Sequence, residues 1–196
     1  MFGRLLESFL LNITTTLYKE VFFIEIRQAK ISELNDVMQF YYDITDDMKD
    51  SEFEPGWEKD VYPTREAVQN AIKNDELFIA VTDESVVASM ILNHECTDGY
   101  ETASWNISAT REEVISIHAL GVSVKQQGKG ISKQMVQKAI DYCESQNIKA
   151  IRLDVLGGNI PASKLYESMG FKYIQTLKLF YEDTGLTDFL LYELVL

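Results

Sequence analysis

Between Val114 and Phe171 the hydrophobic period alternates between two and about 3.6, and glycines mark both places where a strand gives way to a helix. Val114, Ile115, Ile117, Leu120, Val122 and Val124 form a β-branched, apolar run that predicts a strand. Gly128-Lys129-Gly130 breaks it. Ile131, Met135, Val136, Ala139, Ile140 and Cys143 then fall on one helical face. The pattern repeats downstream. Ile151, Leu153 and Val155 alternate with Arg152 and Asp154, and Gly157-Gly158 ends that strand. Asn159 is placed to cap a helix whose inward face is Ala162, Leu165, Tyr166 and Met169. Gly170 stops it as a left-handed C′ residue. The chain must therefore place two helix N-termini at the ends of two strands.

This order has chemical consequences. The first N–H groups of a helix have no intrahelical partner, and the helix dipole makes that end positive. A diphosphate fits there. Gly128 and Gly130 let the backbone approach closely and take unusual φ values. The alternative is a structural turn with nothing bound. A Walker-type loop is excluded because no Gly-Lys-Ser/Thr follows four spacer residues, and the third glycine of a dinucleotide fingerprint is missing. Tyr166 points inward on its helix, where tyrosine is ordinarily core. Paired with the glycine turn it suggests a diphosphate cradle beside a positioned phenol, which points to acyl-CoA chemistry.

At these residues the sequence resembles the GCN5-related N-acetyltransferase (GNAT) family. The family's Asn-x-x-Ala-x-x-Leu-Tyr-x-x-x-Gly-Phe pattern is complete in Asn159, Ala162, Leu165, Tyr166, Gly170 and Phe171. Its Gln/Arg-x-x-Gly-x-Gly/Ala pattern is complete except that Lys125 takes the first position, and the usual proline of that loop is absent near Val124. The resemblance covers roughly residues 24–196. It implies an α/β (α+β) fold: a mixed, mostly antiparallel sheet of about seven strands, splayed between the fourth and fifth, with helices on both faces. It implies acetyl-CoA as co-substrate and no metal. The diphosphate is expected on the N–H groups of Gln127, Gly128, Lys129, Gly130, Ile131 and Ser132. The thioester is expected against Leu120, Gly121 and Val122, with Asn159, Ala162 and Tyr166 opposite.

Amide formation sets the remaining roles. A primary alkylamine has a pKa near about 10 and is mostly protonated at neutral pH, so something must take its proton. His118 is the candidate base, two residues before Leu120, with an intrinsic pKa suited to the task. Its alternative is a hydrogen-bonded core histidine. Ser116 sits where some relatives place a glutamate base and cannot serve unaided. Tyr166 is the candidate acid for the leaving thiolate. His94 is expected to be structural.

The rest of the chain fits one such domain, 24–196. The expected order is β 24–29, α 31–43, an irregular acidic stretch, α 64–74, β 77–82, β 85–94, β 113–124, α 130–147, β 149–156, α 159–169, β 171–181 and β 186–196. Residues 1–23 stand apart as an N-terminal extension. They read either as an extra helix or as a start assigned too far upstream, and they lack the cleavage site of a signal peptide. Lys19-Glu20-Val21 can be encoded by a sequence like a bacterial ribosome-binding site, which suggests a bacterial source.

Two cysteines in no paired pattern favour a cytoplasmic setting, and two Cys with two His do not support zinc. No apolar run is long enough to span a bilayer. The net charge of −13 argues against nucleic acid or an anionic membrane as partner. Asp43, Asp46, Asp47, Asp50, Glu52, Glu54, Glu58 and Asp60 crowd one stretch. They form either a solvated loop or a funnel for a cationic acceptor. Trp57, Tyr62, Tyr100 and Trp105 serve either as walls of that site or as core.

The expected function is acetyl transfer from acetyl-CoA to a small, cationic primary amine by direct attack in a ternary complex. The alternatives are a protein or peptide N-acetyltransferase and a non-catalytic acyl-CoA-binding module. A homodimer is left open.

Overall fold

The computed structural model describes residues 24–196 apart from 50, 54 and 84. The expectations for residues 1–23, Asp50 and Glu54 lie outside the described residues. Among the described residues seven strands form one sheet in the order β1-β2-β3-β4-β5-β7-β6. They are β1 (Glu25–Gln28), β2 (Leu77–Thr82), β3 (Ser85–Asn93), β4 (Val114–Val122), β5 (Ala150–Leu156), β6 (Lys172–Tyr181) and β7 (Gly185–Val195). Every neighbouring pair is antiparallel except β4 and β5. The mixed, splayed sheet expected from the sequence is present.

Among the described residues four α-helices cover the sheet: α1 (Leu34–Met48), α2 (Arg65–Lys73), α3 (Ile131–Ser145) and α4 (Ile160–Ser168). A core of Phe78, Met90, Ile117, Met135, Leu153 and Tyr166 lies on the α3/α4 face. A second core of Val37, Met38, Tyr41, Ile72, Leu77 and Ile79 lies on the α1/α2 face. The connection 94–113 seals the β5–β7 half of that second face, where Tyr100 and Trp105 pack on Leu179, Phe189 and Leu191.

The first helix corrects the sequence reading. It runs to Met48 rather than ending at residue 43, so Asp46 and Asp47 are helical rather than irregular. The reason is that Ile44 and Met48 continue the apolar face begun by Val37 and Tyr41, and packing of that face overrides the acidic cluster around it.

Two irregularities in β4 position the site. Its pairing with β5 lasts only from Val114↔Ala150 to Ser116↔Arg152, after which β5 continues against β7 alone. A wedge therefore opens between β4 and β5. Within β4 the register against β3 steps from Ile91↔His118 to Ser89↔Gly121. Ala119 and Leu120 thus share Met90 as their opposite number, a bulge, and Ala119 takes a left-handed φ of 49°.

Candidate active site

The wedge holds two connected hollows. A long cleft runs along the open edge of β4 over Leu120, Gly121 and Val122 to the glycine loop at Gln127, Gly128 and Ser132. Its other wall is α4, through Asn159, Ala162 and Tyr166. A deeper chamber continues past Leu120 to His118 and Asp154. Leu120, Asn159, Ala162 and Tyr166 line both hollows and form the junction. Past Ser116 the β4 backbone groups facing β5 have no ladder partner, so an extended ligand can supply one.

The glycine loop is built as the sequence reading requires. Gly128 and Gly130 have φ of 76° and 78°, and nothing lies within 4 Å of where a side chain would begin at either. Their identity is thus set by backbone conformation and not by crowding from the protein. Gly130 caps α3 without a side-chain hydrogen bond, so the N–H groups of Ile131, Ser132 and Lys133 precede any intrahelical partner. Ile131 can contribute only its N–H, because its side chain is buried in the core. Lys129 and Gly130 likewise do not line the cleft with side chains, and Lys129 Nζ bonds Gln126 at 2.7 Å. Gly121 has a different cause. A Cβ there would come within 2.9 Å of Ile44 and 3.2 Å of Trp57, so its absence lets Trp57 close over β4.

On α4, the Asn159 side chain caps the helix by accepting from Ala162 N–H at 3.1 Å. Tyr166 is 6% exposed and packs edge-on against Phe171, with ring centroids 5.4 Å apart. Burial, aided by the negative charge of Asp154, raises its pKa well above the ordinary phenol value. It remains a proton donor at any working pH.

His118, the candidate base, lines the chamber. Its Nε2 lies 3.2 Å from the Glu95 carbonyl oxygen. A carbonyl only accepts, so Nε2 carries the proton and Nδ1 keeps the lone pair. Burial lowers its pKa below the ordinary histidine value, opposed by Asp154 and the Glu95 contact. The ring is therefore neutral at pH 7 and can accept a proton. His94, by contrast, bonds the Val114 and Arg111 carbonyls through Nδ1 and is structural.

Asp154 is the residue that the sequence reading missed. It lines the same chamber, and its charge acts on both His118 and Tyr166. Tyr100 and Tyr181 both donate to its Oδ2, at 2.6 and 2.8 Å. Thr97 in turn bonds the Tyr181 hydroxyl at 2.6 Å. Two hydroxyls thus fix one oxygen, and Oδ1 accepts from no group among the described residues. The signal needs the strand order as well as the strand. β5 is a central strand, and a carboxylate on its second face has to be buried and partnered.

The aromatic candidates divide. Trp57 and Tyr62 are walls of the chamber, together with Tyr181 and Phe189. Tyr100 is a buried support for Asp154, and Trp105 stacks on Arg152 at 4.3 Å away from the chamber. Arg152 pairs with fully buried Glu193 at 2.9 Å. The acidic stretch divides as well. Asp46 and Glu58 line a rim hollow that shares Trp57 and Asp183 with the chamber, whereas Asp47 and Glu52 line the long cleft. Asp43 bonds Gln39, and Asp60 accepts from Tyr42. The carboxylates lining the chamber itself are Asp154 and Asp183, neither from that stretch.

Comparison with known proteins agrees with this architecture. The sequence model of the acetyltransferase (GNAT) family matches residues 39–171. A mycothiol acetyltransferase from Acidothermus cellulolyticus is 27% identical over 106 residues, which is 54% of this chain and 32% of that protein. An N-acetylaspartate synthetase from Xenopus tropicalis is 32% identical over 63 residues, 32% of this chain and 23% of that one. The chain thus spans a third or less of the length of these curated relatives. Among solved structures, a GNAT-family acetyltransferase from Streptococcus agalactiae superposes with a TM-score of 0.72 at 18% identity, covering 88% of this chain and 95% of that one. An N-acetyltransferase from Staphylococcus aureus Mu50 gives 0.65 at 20% identity, covering 88% and 98%. The glycine loop at the start of α3, the wedge between β4 and β5 and the matched stretch of sequence coincide in one place, and the chain belongs to the GNAT acetyltransferase family.

Proposed function

We propose that the protein transfers an acetyl group from acetyl-CoA to a primary amine of a small cationic molecule that carries no carboxylate beside that amine. The observation behind this reading is the chamber: Asp154 and Asp183 line it with His118 and Tyr166, and no Lys or Arg does among the described residues. A net negative chamber favours an ammonium and disfavours an anionic substituent.

The long cleft fits the donor. Its open β4 edge, its free helix N-terminus and the empty space over Gly128 and Gly130 suit an extended chain ending in a diphosphate. The residues for these roles are Gln127, Gly128, Lys129, Gly130, Ile131 and Ser132 for the diphosphate, through backbone N–H groups. Leu120, Gly121 and Val122 serve the thioester end, with Asn159, Ala162 and Tyr166 facing them. Acetyl-CoA supplies a thioester carbon open to attack by an amine.

The chain's own residues do the rest. Asp154 holds the incoming ammonium through Oδ1, with Trp57 and Tyr62 as aromatic walls that also favour a cation. His118 Nδ1 takes the ammonium proton, directly or through water, and frees the nitrogen lone pair. The backbone at Leu120 donates to the carbonyl oxygen as its charge grows. Tyr166 gives its proton to the departing sulfur, and the second proton lost by the acylated nitrogen returns to the phenolate. Direct attack needs no protein nucleophile, and none is assigned.

The test is a panel of acceptors assayed by acetyl-CoA-dependent CoA release. It compares alkyl and aralkyl monoamines, diamines, free α-amino acids and short peptides. The expected order places amines without a carboxylate first. Higher kcat/KM for α-amino acids would overturn the charge argument. Preference for peptides would move the acceptor to the rim hollow, and no turnover with any amine would favour a binding module.

A further inference from the structure

The bulge in β4 has a support that the fold alone does not require. Ala119 holds a φ of 49°, a conformation that suits glycine and is uncommon for alanine. An antiparallel ladder would bond its carbonyl to β3, yet the carbonyl is taken by a side chain. Tyr41 Oη, from the middle of α1, lies 3.0 Å from the Ala119 carbonyl oxygen and 3.0 Å from Ser89 Oγ. The phenol has one proton and the carbonyl only accepts, so Tyr41 donates to Ala119 and Ser89 donates to Tyr41. All three groups are buried, with Tyr41 2% exposed and Ser89 fully covered. The Tyr62 hydroxyl also bonds the Ala119 backbone.

The bulge decides what β4 presents to the wedge. Side chains alternate across a strand, so one extra residue moves everything beyond it to the opposite face. Ile117 before the bulge and Leu120 and Val122 after it pack with the α3/α4 core, whereas Ala119 packs with the α1/α2 core and Gly121 faces Ile44 and Trp57 on that same side. The peptide between Ala119 and Leu120 follows the left-handed residue, and Leu120 lines both hollows at their junction.

We propose that Tyr41, with Ser89 beneath it, is a positioning latch that holds Ala119 left-handed and so aims the Leu120 N–H at the acyl-transfer site. Tyr41 and Ser89 line neither hollow; Tyr41 reaches the site through the β4 backbone and through its edge-on contact with Trp57, ring centroids 5.6 Å apart, and Tyr41→Phe keeps the second of these. The latch's catalytic consequence rests on the acetyl-transfer reading. Its structural consequence does not.

The experiment uses the full chain carrying Tyr41→Phe, alone and together with Ala119→Gly. Phe keeps the ring and its packing and deletes the donor. In the single variant kcat should fall about tenfold, with KM for acetyl-CoA within about twofold of the parent, as expected when a transition-state donor is misaimed. Glycine adopts the left-handed conformation without help, so Ala119→Gly should restore most of the lost kcat in the double variant. Amide hydrogen exchange at Leu120 and Gly121 gives a readout independent of turnover. It should speed up in Tyr41→Phe and return toward the parent rate in the double variant. Unchanged kcat and exchange in Tyr41→Phe would overturn the proposal. So would a kcat loss that Ala119→Gly fails to recover, because that outcome assigns Tyr41 to packing. Altered and rescued exchange in a protein that acetylates no amine would uphold the latch and reject the acetyl-transfer reading alone.

Discussion

The two halves of the site are made in opposite ways. The long cleft has one wall made largely of backbone from a continuous stretch, residues 120–166, in which a strand end, a glycine turn and two helix starts follow one another, while α1 and the segment after it close the other side through Asp47, Glu52 and Trp57. The chamber is made chiefly of side chains from distant parts of the chain. His118 comes from β4 and Asp154 from β5. Trp57 and Tyr62 come from the connection between α1 and α2, and Tyr181 from the end of β6. Backbone N–H groups are the same in every sequence, so the first half can serve one constant ligand. Side chains can change one at a time, so the second half is where an acceptor is chosen. The comparison predicts that substitutions in the chamber alter acceptor handling and pH dependence, while substitutions in the glycine loop alter donor affinity alone.

The largest effects should come from the groups that move protons. His118→Gln should lower kcat by about 10²-fold or more, the usual scale for loss of a general base. In the parent, kcat/KM should rise with pH through an inflection below about 6.5, because burial lowers the histidine pKa and only the neutral ring can accept a proton. That inflection should vanish in the variant. Persistence of the inflection in His118→Gln would assign the base elsewhere. Tyr166→Phe should cost a similar factor in kcat with little change in acetyl-CoA affinity, since the ring and its contact with Phe171 are kept. Parent turnover in that variant would leave Tyr166 as core.

Asp154→Asn should rank next. Loss of a charge-assisted contact to the acceptor should raise acceptor KM about tenfold to a hundredfold and leave acetyl-CoA binding unchanged. It should also move the His118 inflection to lower pH, because the Asp154 charge now opposes the effect of burial. An unshifted inflection with a normal KM would break the link between the two residues. Gly130→Val should have the smallest effect on the chemistry. It forces a β-branched residue to a φ of 78° and should weaken acetyl-CoA binding about tenfold, seen by calorimetry. Acceptor preference should stay as it was. A change in acceptor order from a glycine-loop variant would dissolve the division between the two halves.

Legibility followed the same division. The glycine loop, the Asn159 cap and the inward Tyr166 could be read because each depends on neighbours within a few residues: a positive φ, a capping side chain, a helical period. His118 could be read because it precedes the same strand end. Asp154 could not. In isolation, Asp154 alternating with Leu153 and Val155 reads as the wet face of a strand, and only the cover provided by the connection 94–113 makes that face interior. The end of α1 was misjudged for a related reason. The acids around Ile44 and Met48 suggest a loop, but the second core supplies a surface for those two apolar side chains.

The sequence by itself determined the order of strands and helices, the turn at Gly128 and Gly130 and the family to which the chain belongs, since these rest on periodicity and on residues close together along the chain. Tertiary structure alone decided that β4 and β5 part after Ser116, that Ala119 is bulged beneath Tyr41, and that Tyr100 and Tyr181 meet on Asp154. Those contacts join residues 27 to 78 positions apart, and a hydrogen bond at that separation is set by packing of whole elements, which no local pattern encodes.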